Sequence, residues 1–146
     1  MKWLVSTFIL ALAVGVLLAA PPKEEVKKEM DNFLGKWTVN YMSTEGMDVP
    51  GGSHQGHALE ILNNPNHLVL REGGTSTGIY EIDPTTNPKL INIGFVGGPR
   101  QGQLWQGIYI LDDKHLQLAV GTVNNRPTHF GKAQGQTVYN LIRQKP

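Results

Sequence analysis

The stretch GIYILDDKHLQLAV, from Gly107 to Val120, decides the fold of this chain. On both sides of Asp112 and Asp113 the residues alternate with a period of two, which is the pattern of a β-strand. The alternating positions are Ile108 and Ile110 with Tyr109 and Leu111 before the aspartates, and Leu116, Leu118 and Val120 with His115, Gln117 and Ala119 after them. The stretch therefore predicts two antiparallel strands joined by a tight turn.

A second copy of this pattern lies earlier in the chain. There GIYEID, from Gly78 to Asp83, is followed by the turn residues PTTNP and then by KLINIGF, from Lys89 to Phe95. Pro and Asn are residues that favour turns between strands. The chain therefore repeats one unit, in which Gly-Ile-Tyr begins a strand and an aspartate begins the turn.

The remaining residues predict further strands of ordinary length. In the first, GKWTVNYMS, the side chains of Trp37, Val39 and Tyr41 share one face. The polar, Gly-rich residues 45–55 predict a loop, which is a candidate for the mouth of a barrel. The other strands are predicted in ALEILN (58–63), HLVLR (67–71) and TVYNLIR (137–143). About eight short strands joined by turns predict an all-β fold, a small antiparallel up-and-down barrel without open edges.

The sequence divides into three parts. Residues 1–20 contain Lys2 and then the apolar run WLVSTFILALAVGVLLAA, which predicts a secretory signal peptide, with an uncleaved membrane anchor as the alternative. Residues 21–34 predict a short amphipathic helix, with Val26, Met30 and Phe33 at helical spacing. Residues 35–146 form the predicted barrel domain. We therefore expect an exported protein, either periplasmic or secreted.

The composition restricts the classes of function. The sequence has 13 basic residues, 12 acidic residues and no cysteine. Without residues 1–20 the chain loses Lys2, so 13 − 1 = 12 basic residues balance the 12 acidic ones. Nucleic-acid binders usually carry a basic surplus, so no nucleic-acid partner is expected. The domain has no disulfides, and burial of apolar side chains must stabilise it.

Two resemblances extend this interpretation. Gly35-Lys36-Trp37 resembles the G-x-W signature of lipocalins, and Arg143 lies where the matching arginine of that superfamily is found. This resemblance implies that the Arg143 guanidinium stacks on the Trp37 indole and closes the barrel base near Gly35. Over nearly all of residues 21–146, the chain is also similar to a lipocalin-like domain of uncharacterised function in exported proteins of planctomycete-type bacteria. The matching segments are FLGKW (33–37), YEIDPTTNPKLINI (80–93), GIYILDDKHLQLAV (107–120), RPTHF (126–130) and LIR (141–143).

Candidate catalytic and metal-binding residues are few. Asp112 and Asp113, with Asp83 in the equivalent place of the first copy, are the best acids for general acid–base work. Aspartate at a hairpin turn, however, usually accepts bonds from backbone amides. His54 and His57 form H-x-x-H in a loop, without the third ligand that zinc requires. We therefore predict no catalytic residue, no metal ligand and no cofactor, and a weak hydrolase-type enzyme ranks third among the functions considered.

Aromatic side chains give the binding hypothesis. If they point inward, they either line an apolar cavity with a few polar groups or fill a dry core. Arg126, which precedes a rigid proline, adds a group able to recognise a carboxylate or a sugar. The candidate lining residues are Trp37, Tyr41, Tyr80, Trp105, Tyr109, Arg126, Phe130 and Tyr139. The prediction is a binding module for a small apolar or amphipathic ligand. The alternative is a protein-interaction or cell-envelope structural module with a filled barrel.

Overall fold

The computed structural model describes residues 21–146. The predicted signal peptide or anchor, residues 1–20, lies outside the described residues. In chain order the elements are α1 (Lys23–Phe33), β1 (Gly35–Thr44), β2 (Met47–Asp48), a turn of 3₁₀ helix (Gly51–Ser53), β3 (Ala58–Ile61), β4 (His67–Arg71), β5 (Thr75–Asp83), β6 (Lys89–Gly97), β7 (Leu104–Leu111), β8 (His115–Thr122) and β9 (Gln136–Arg143). The predicted loop at 45–55 therefore contains β2 and the 3₁₀ turn.

The strands form a closed antiparallel barrel. From β3 to β9 each strand pairs with the next one along the chain, and β1 pairs with both β3 and β9. Eight strands close the barrel, while β2 is a short arm that pairs with the end of β1. The predicted small all-β barrel is confirmed. We call the end where β1 begins the base, and the opposite end, with the β4–β5 turn and the β6–β7 loop, the mouth.

Apolar side chains fill the inside of the barrel, since alternate positions of each strand point inward. The Gly-Ile-Tyr unit of β5 shows this alternation, because Tyr80 is buried and Ile79 is 46% exposed. In β7 Tyr109 is buried inside the barrel, and Ile108 is also buried, on the outer face where Phe130 packs. The buried core residues on the strands are Trp37, Val39, Met42, Leu59, Ile61, Leu68, Leu70, Tyr80, Ile82, Ile91, Ile93, Phe95, Tyr109, Leu116, Leu118, Val120, Tyr139 and Leu141.

Helix α1 closes the base. Its last residue, Phe33, is fully buried, and its ring lies 4.9 Å from the ring of Tyr109 and 5.9 Å from that of Tyr80. The two tyrosines of the repeated unit therefore lie on either side of the same helix residue. One turn earlier, Glu29 accepts hydrogen bonds from Lys89 Nζ (2.6 Å) and the Tyr109 hydroxyl (3.2 Å). Within residues 21–146, no helix is long and apolar enough to cross a membrane.

The first and last strands meet at the base through Trp37 and Arg143. These two residues are direct partners in the β1–β9 ladder, and the Arg143 Cζ lies 4.1 Å from the centre of the Trp37 ring. The guanidinium also donates to the carbonyls of Asn32, Leu34 and Asp113. Gly35 has φ +120°, and a β-carbon there would lie 3.3 Å from Arg143 Nη1. Glycine at this position therefore both permits the backbone conformation and leaves room for the guanidinium.

Candidate functional site

The barrel interior has almost no free volume. Its only space among the described residues has a volume of about 10 Å³, and its lining is wholly apolar. Small-molecule sites have volumes of about 300–1,000 Å³. The lining residues are Val39, Leu59, Leu68, Leu70, Ile93, Phe95, Trp105, Leu118, Tyr139 and Leu141. In this conformation the aromatic residues fill a core, and a ligand does not fit among them.

The predicted lining residues divide between the inside and the outside of the barrel. Five of them point inward: Trp37, Tyr80 and Tyr109 near the base, Trp105 and Tyr139 toward the mouth. Tyr41, Arg126 and Phe130 lie on the outer face and do not line the interior. The prediction that all eight residues share one cavity therefore needs correction.

A β-bulge explains the position of Tyr41. Between Val39 and Tyr41 the β1–β9 register shifts by one residue, so that Met42, rather than Tyr41, is the next buried core position. A bulge inserts one unpaired residue and reverses the alternation after it. The Tyr41 hydroxyl consequently donates to Asp48 on the outer surface, and the same carboxylate pairs with Lys132 Nζ at 2.7 Å.

The loop between β8 and β9 folds back over the outside of the barrel. Phe130 packs there against Ile108, Ala119 and Val138, which are the outward neighbours of inward-facing residues. The Arg126 guanidinium is partly buried on the same side. It donates to the backbone carbonyls of Ile91 (3.1 Å) and Gly107 (2.7 Å), and to Asn92 Oδ1 (2.6 Å). These side chains therefore attach a loop to the barrel wall. The signal in the sequence was that the outward positions Ile108, Ala119 and Val138 on three adjacent strands are all apolar.

A group of side chains, which we call the mouth cluster, covers the interior at the mouth. It consists of Glu72, Arg100, Trp105 and Tyr139. Arg100 Cζ lies 4.8 Å from the Trp105 ring, and Arg100 Nη2 lies 3.3 Å from Glu72 Oε2. The Tyr139 hydroxyl donates to the same Glu72 oxygen at 2.7 Å. Sequence reasoning missed Glu72, although it continues the inward alternation of Leu68 and Leu70.

An open groove of about 440 Å³ lies beside helix α1. One wall is the helix face with Lys23, Lys27 and Met30, and the opposite wall is the turn between β3 and β4. We call this the helix groove. Its apolar lining residues are Pro21, Val26, Met30, Leu34, Leu62, Pro65 and Tyr80, and its polar ones are Lys23, Lys27, Asp31, Asn63 and Asn66. Its volume lies within the range of small-molecule sites.

The three inward tyrosines differ in what their hydroxyls contact. Those of Tyr109 and Tyr139 donate to Glu29 and Glu72, respectively. Tyr80 lines the helix groove, and its hydroxyl, unlike the other two, donates to no carboxylate among residues 21–146. Burial, with a smaller contribution from Asp31, raises the pKa of Tyr80 to about 12. The hydroxyl is therefore a neutral donor at physiological pH and is available to a bound molecule.

Burial also raises the pKa of the other two tyrosines. For Tyr139, the Glu72 carboxylate adds to the effect of burial and the pKa lies well above its ordinary value. For Tyr109, Glu29 adds to burial in the same way. A carboxylate beside a phenol disfavours the phenolate. Both hydroxyls therefore remain donors that hold their glutamates in place.

The aspartates and histidines singled out in the sequence form local contacts. Asp112 Oδ1 accepts the backbone N–H groups of Lys114 and His115, both at 2.8 Å, and these bonds lower the pKa of Asp112. A general acid requires the opposite shift. Asp83 accepts the backbone N–H of Thr85 at 3.0 Å in the equivalent turn.

His54, the first histidine of the H-x-x-H pattern, is buried. The Nδ1 atom of the second, His57, is buried without a hydrogen-bond partner among the described residues. Across residues 21–146, no three His, Cys, Asp or Glu side chains converge on a point where a metal ion would bind. The two histidines therefore gain no third ligand from the part of the chain that the structure describes.

Comparisons with protein-family models, with curated proteins and with solved structures find no match to this chain. The function is therefore inferred from the residues and contacts described above.

Proposed function

We propose that this protein is a binding module for a small amphipathic molecule, and that the molecule binds in the helix groove outside the barrel. The observation that carries the proposal is the contrast in volume between the helix groove and the barrel interior. The groove offers about 440 Å³, whereas the interior offers about 10 Å³. The site proposed here differs from the interior site expected from the aromatic residues.

The lining of the groove suits an amphipathic ligand. Apolar side chains from the helix and from the β3–β4 turn, among them Val26, Met30 and Leu62, form the floor and walls. Burial of apolar ligand surface against them contributes roughly 25 cal/mol per Å² before the costs of association. The Tyr80 hydroxyl and the charged groups at the rim are the few polar groups that fix orientation in such sites. The groove is thus apolar inside and polar at its edge.

We also propose that the protein is exported, because residues 1–20 have the layout of a secretory signal. Fractionation of the producing cells tests this directly. The expected result is protein in the periplasm or medium with an intact mass that lacks residues 1–20. Protein found only in the cytoplasm would contradict the proposal.

The binding proposal is tested by titrating the purified full-length protein with 1-anilinonaphthalene, an uncharged dye whose fluorescence rises in apolar surroundings. We expect saturable binding at one site. Met30→Trp fills the groove and should weaken this binding at least about tenfold, the effect of losing roughly 1.4 kcal/mol of contact. Met47→Trp is the matched control, because Met47 is 68% exposed and lies outside the groove. Equal dye binding by the protein and its Met30→Trp variant would reject the groove as the site.

A second candidate function is an interaction module, and an exposed apolar area on the outer wall favours it. Ile79, Val96 and Leu104 are each at least 42% exposed on the adjacent strands β5, β6 and β7. Contiguous apolar surface of this kind marks interaction sites when it is large. A photoreactive residue placed at Leu104 should then cross-link to a partner in the native envelope, while one placed at Lys36 on β1 should not.

A further inference from the structure

We infer that the ligand of the helix groove carries a single negative charge on its head group. This inference rests on the proposed function, because it assigns the chemistry of a molecule bound at the same site. Three charged side chains line the groove, and two of them are the lysines Lys23 and Lys27. The third is Asp31. The formal charge of the lining is therefore +2 − 1 = +1.

The arrangement of these charges favours an anion at one place. Lys27 Nζ pairs with Asp31 Oδ2 at 3.0 Å, so the acid of the groove is already partly neutralised. Lys23 forms no ion pair within residues 21–146, and it lies one helical turn from Lys27 on the same face. The remaining charged residues of α1 are Glu24, Glu25, Lys28 and Glu29, and none of them lines the groove. Glu29 is bound to Lys89 on the barrel side of the helix.

Hydrogen-bonding groups point to the same ligand chemistry. The protonated Tyr80 hydroxyl is a donor that binds no carboxylate among the described residues, as shown above. Asn63 and Asn66 on the opposite wall are neutral. A molecule with an apolar body and a carboxylate, sulfonate or phosphate diester head, each with one negative charge, would place the body on the floor and its anionic oxygens near Lys23. A cationic head would meet two lysines and a single, already paired, carboxylate.

The test compares two dyes that share one skeleton. One is 1-anilinonaphthalene, and the other is 1-anilinonaphthalene-8-sulfonate, which differs only by its negative charge. Each is titrated against the full-length protein and a series of groove variants at low ionic strength. Lys27→Gln and Lys23→Gln lower the charge of the lining to zero, Asp31→Asn raises it to +2, and the double variant K27Q/D31N restores +1. Lys28→Gln is the control, because Lys28 is exposed on α1 but does not line the groove.

We expect the affinity for the sulfonated dye to follow the charge of the lining. Each unit of lining charge should change the affinity for the sulfonated dye by about two- to fivefold, the range for exposed ionic contacts. Asp31→Asn should therefore tighten binding, the two single lysine variants should weaken it, and the double variant and Lys28→Gln should match the original protein. Binding of the uncharged dye should be the same in all of them. At about 1 M salt, where screening reduces the Debye length to about 3 Å, the differences should disappear.

The outcomes separate the two proposals. Suppose that the uncharged dye binds in the groove, but that the affinity for the sulfonated dye changes equally in every variant or in none. The inference of an anionic head is then overturned, while the proposed binding function stands. If neither dye distinguishes the protein from its Met30→Trp variant, the proposed function itself fails. An increase in affinity for the sulfonated dye on Lys23→Gln would also overturn the inference.

Discussion

The base and the mouth of the barrel are closed in different ways. At the base, the fully buried side chains of Phe33 and Trp37 fill the opening, and Arg143 binds backbone carbonyls around them. At the mouth, the half-buried Trp105 lies beneath an ion pair between Glu72 and Arg100, two side chains from separate turns. The base is thus closed by apolar packing and the mouth by charged side chains.

This difference indicates where stability resides and where change is tolerated. Buried aromatic side chains contribute more to folding free energy than a partly buried ion pair such as Glu72–Arg100, because the attraction in such a pair is offset by the loss of hydration of both charges. We therefore expect substitutions at the base to reduce stability more than chemically equivalent substitutions at the mouth. Three pairs of variants test this comparison.

The largest difference is expected between the two tryptophans. Trp37→Ala removes a side chain with no solvent exposure and should cost about 3–5 kcal/mol of unfolding free energy. Trp105→Ala removes a half-buried ring with one side toward the mouth and should cost about 1–3 kcal/mol. Urea denaturation followed by far-ultraviolet circular dichroism measures both. Equal losses at the two sites would mean that the mouth contributes as much packing energy as the base.

The two arginines give the next comparison. Arg143→Gln loses three hydrogen bonds to carbonyls and the stack on Trp37, and should cost about 2–4 kcal/mol. Arg100→Gln should cost about 1–2 kcal/mol, because the Tyr139 hydroxyl still donates to Glu72 after the loss.

Tryptophan fluorescence separates the two changes. Arg100→Gln should alter the emission of Trp105 while the protein stays folded. Arg71→Gln is the control for both, because the Arg71 side chain is 51% exposed and its contacts, an ion pair with Glu60 and a hydrogen bond of 3.4 Å to Thr75, lie at the surface. If Arg71→Gln reduced the unfolding free energy as much as Arg143→Gln does, loss of the positive charge alone would explain the destabilisation.

The smallest effects are expected from removal of single tyrosine hydroxyls. Tyr109→Phe at the base and Tyr139→Phe at the mouth each lose one hydrogen bond to a glutamate and should cost about 1–2 kcal/mol. Tyr80→Phe loses no hydrogen bond to a carboxylate among residues 21–146 and should stay within about 0.5 kcal/mol of the original protein. Thermal unfolding at fixed pH compares all three. Destabilisation by Tyr80→Phe equal to the others would show that its hydroxyl has a structural partner.

The alternation of residues was sufficient to predict the barrel. Period-two patterns such as Leu116, Leu118 and Val120 identified the strands, because each strand has one face in the core. Short turns between them indicated neighbours that pair in sequence. The pattern failed at Asn40, where the register shift that turns Tyr41 outward has no periodic signature. A bulge depends on how two strands pair, so the sequence of one strand alone does not indicate it.

The candidate site was less predictable than the fold. The helix groove forms where α1 approaches the β3–β4 turn, and its lining residues come from segments that share no motif. Volume depends on side-chain packing, so the sequence left open whether the aromatic residues line a cavity or fill a core. Arg126 and Phe130 were assigned to the interior because nothing in their own segment shows that the loop folds over the outer wall.

The pairing of β1 with β9 also sets the order of events during folding. Trp37 and Arg143 are 143 − 37 = 106 positions apart, so the contact between them has a very large separation along the chain. Contacts of this kind form slowly, since a long loop must close first. During synthesis the ring of strands stays incomplete until β9 is available to pair with β1. The unfinished ring then has two unpaired strand edges, which invite aggregation if closure is delayed.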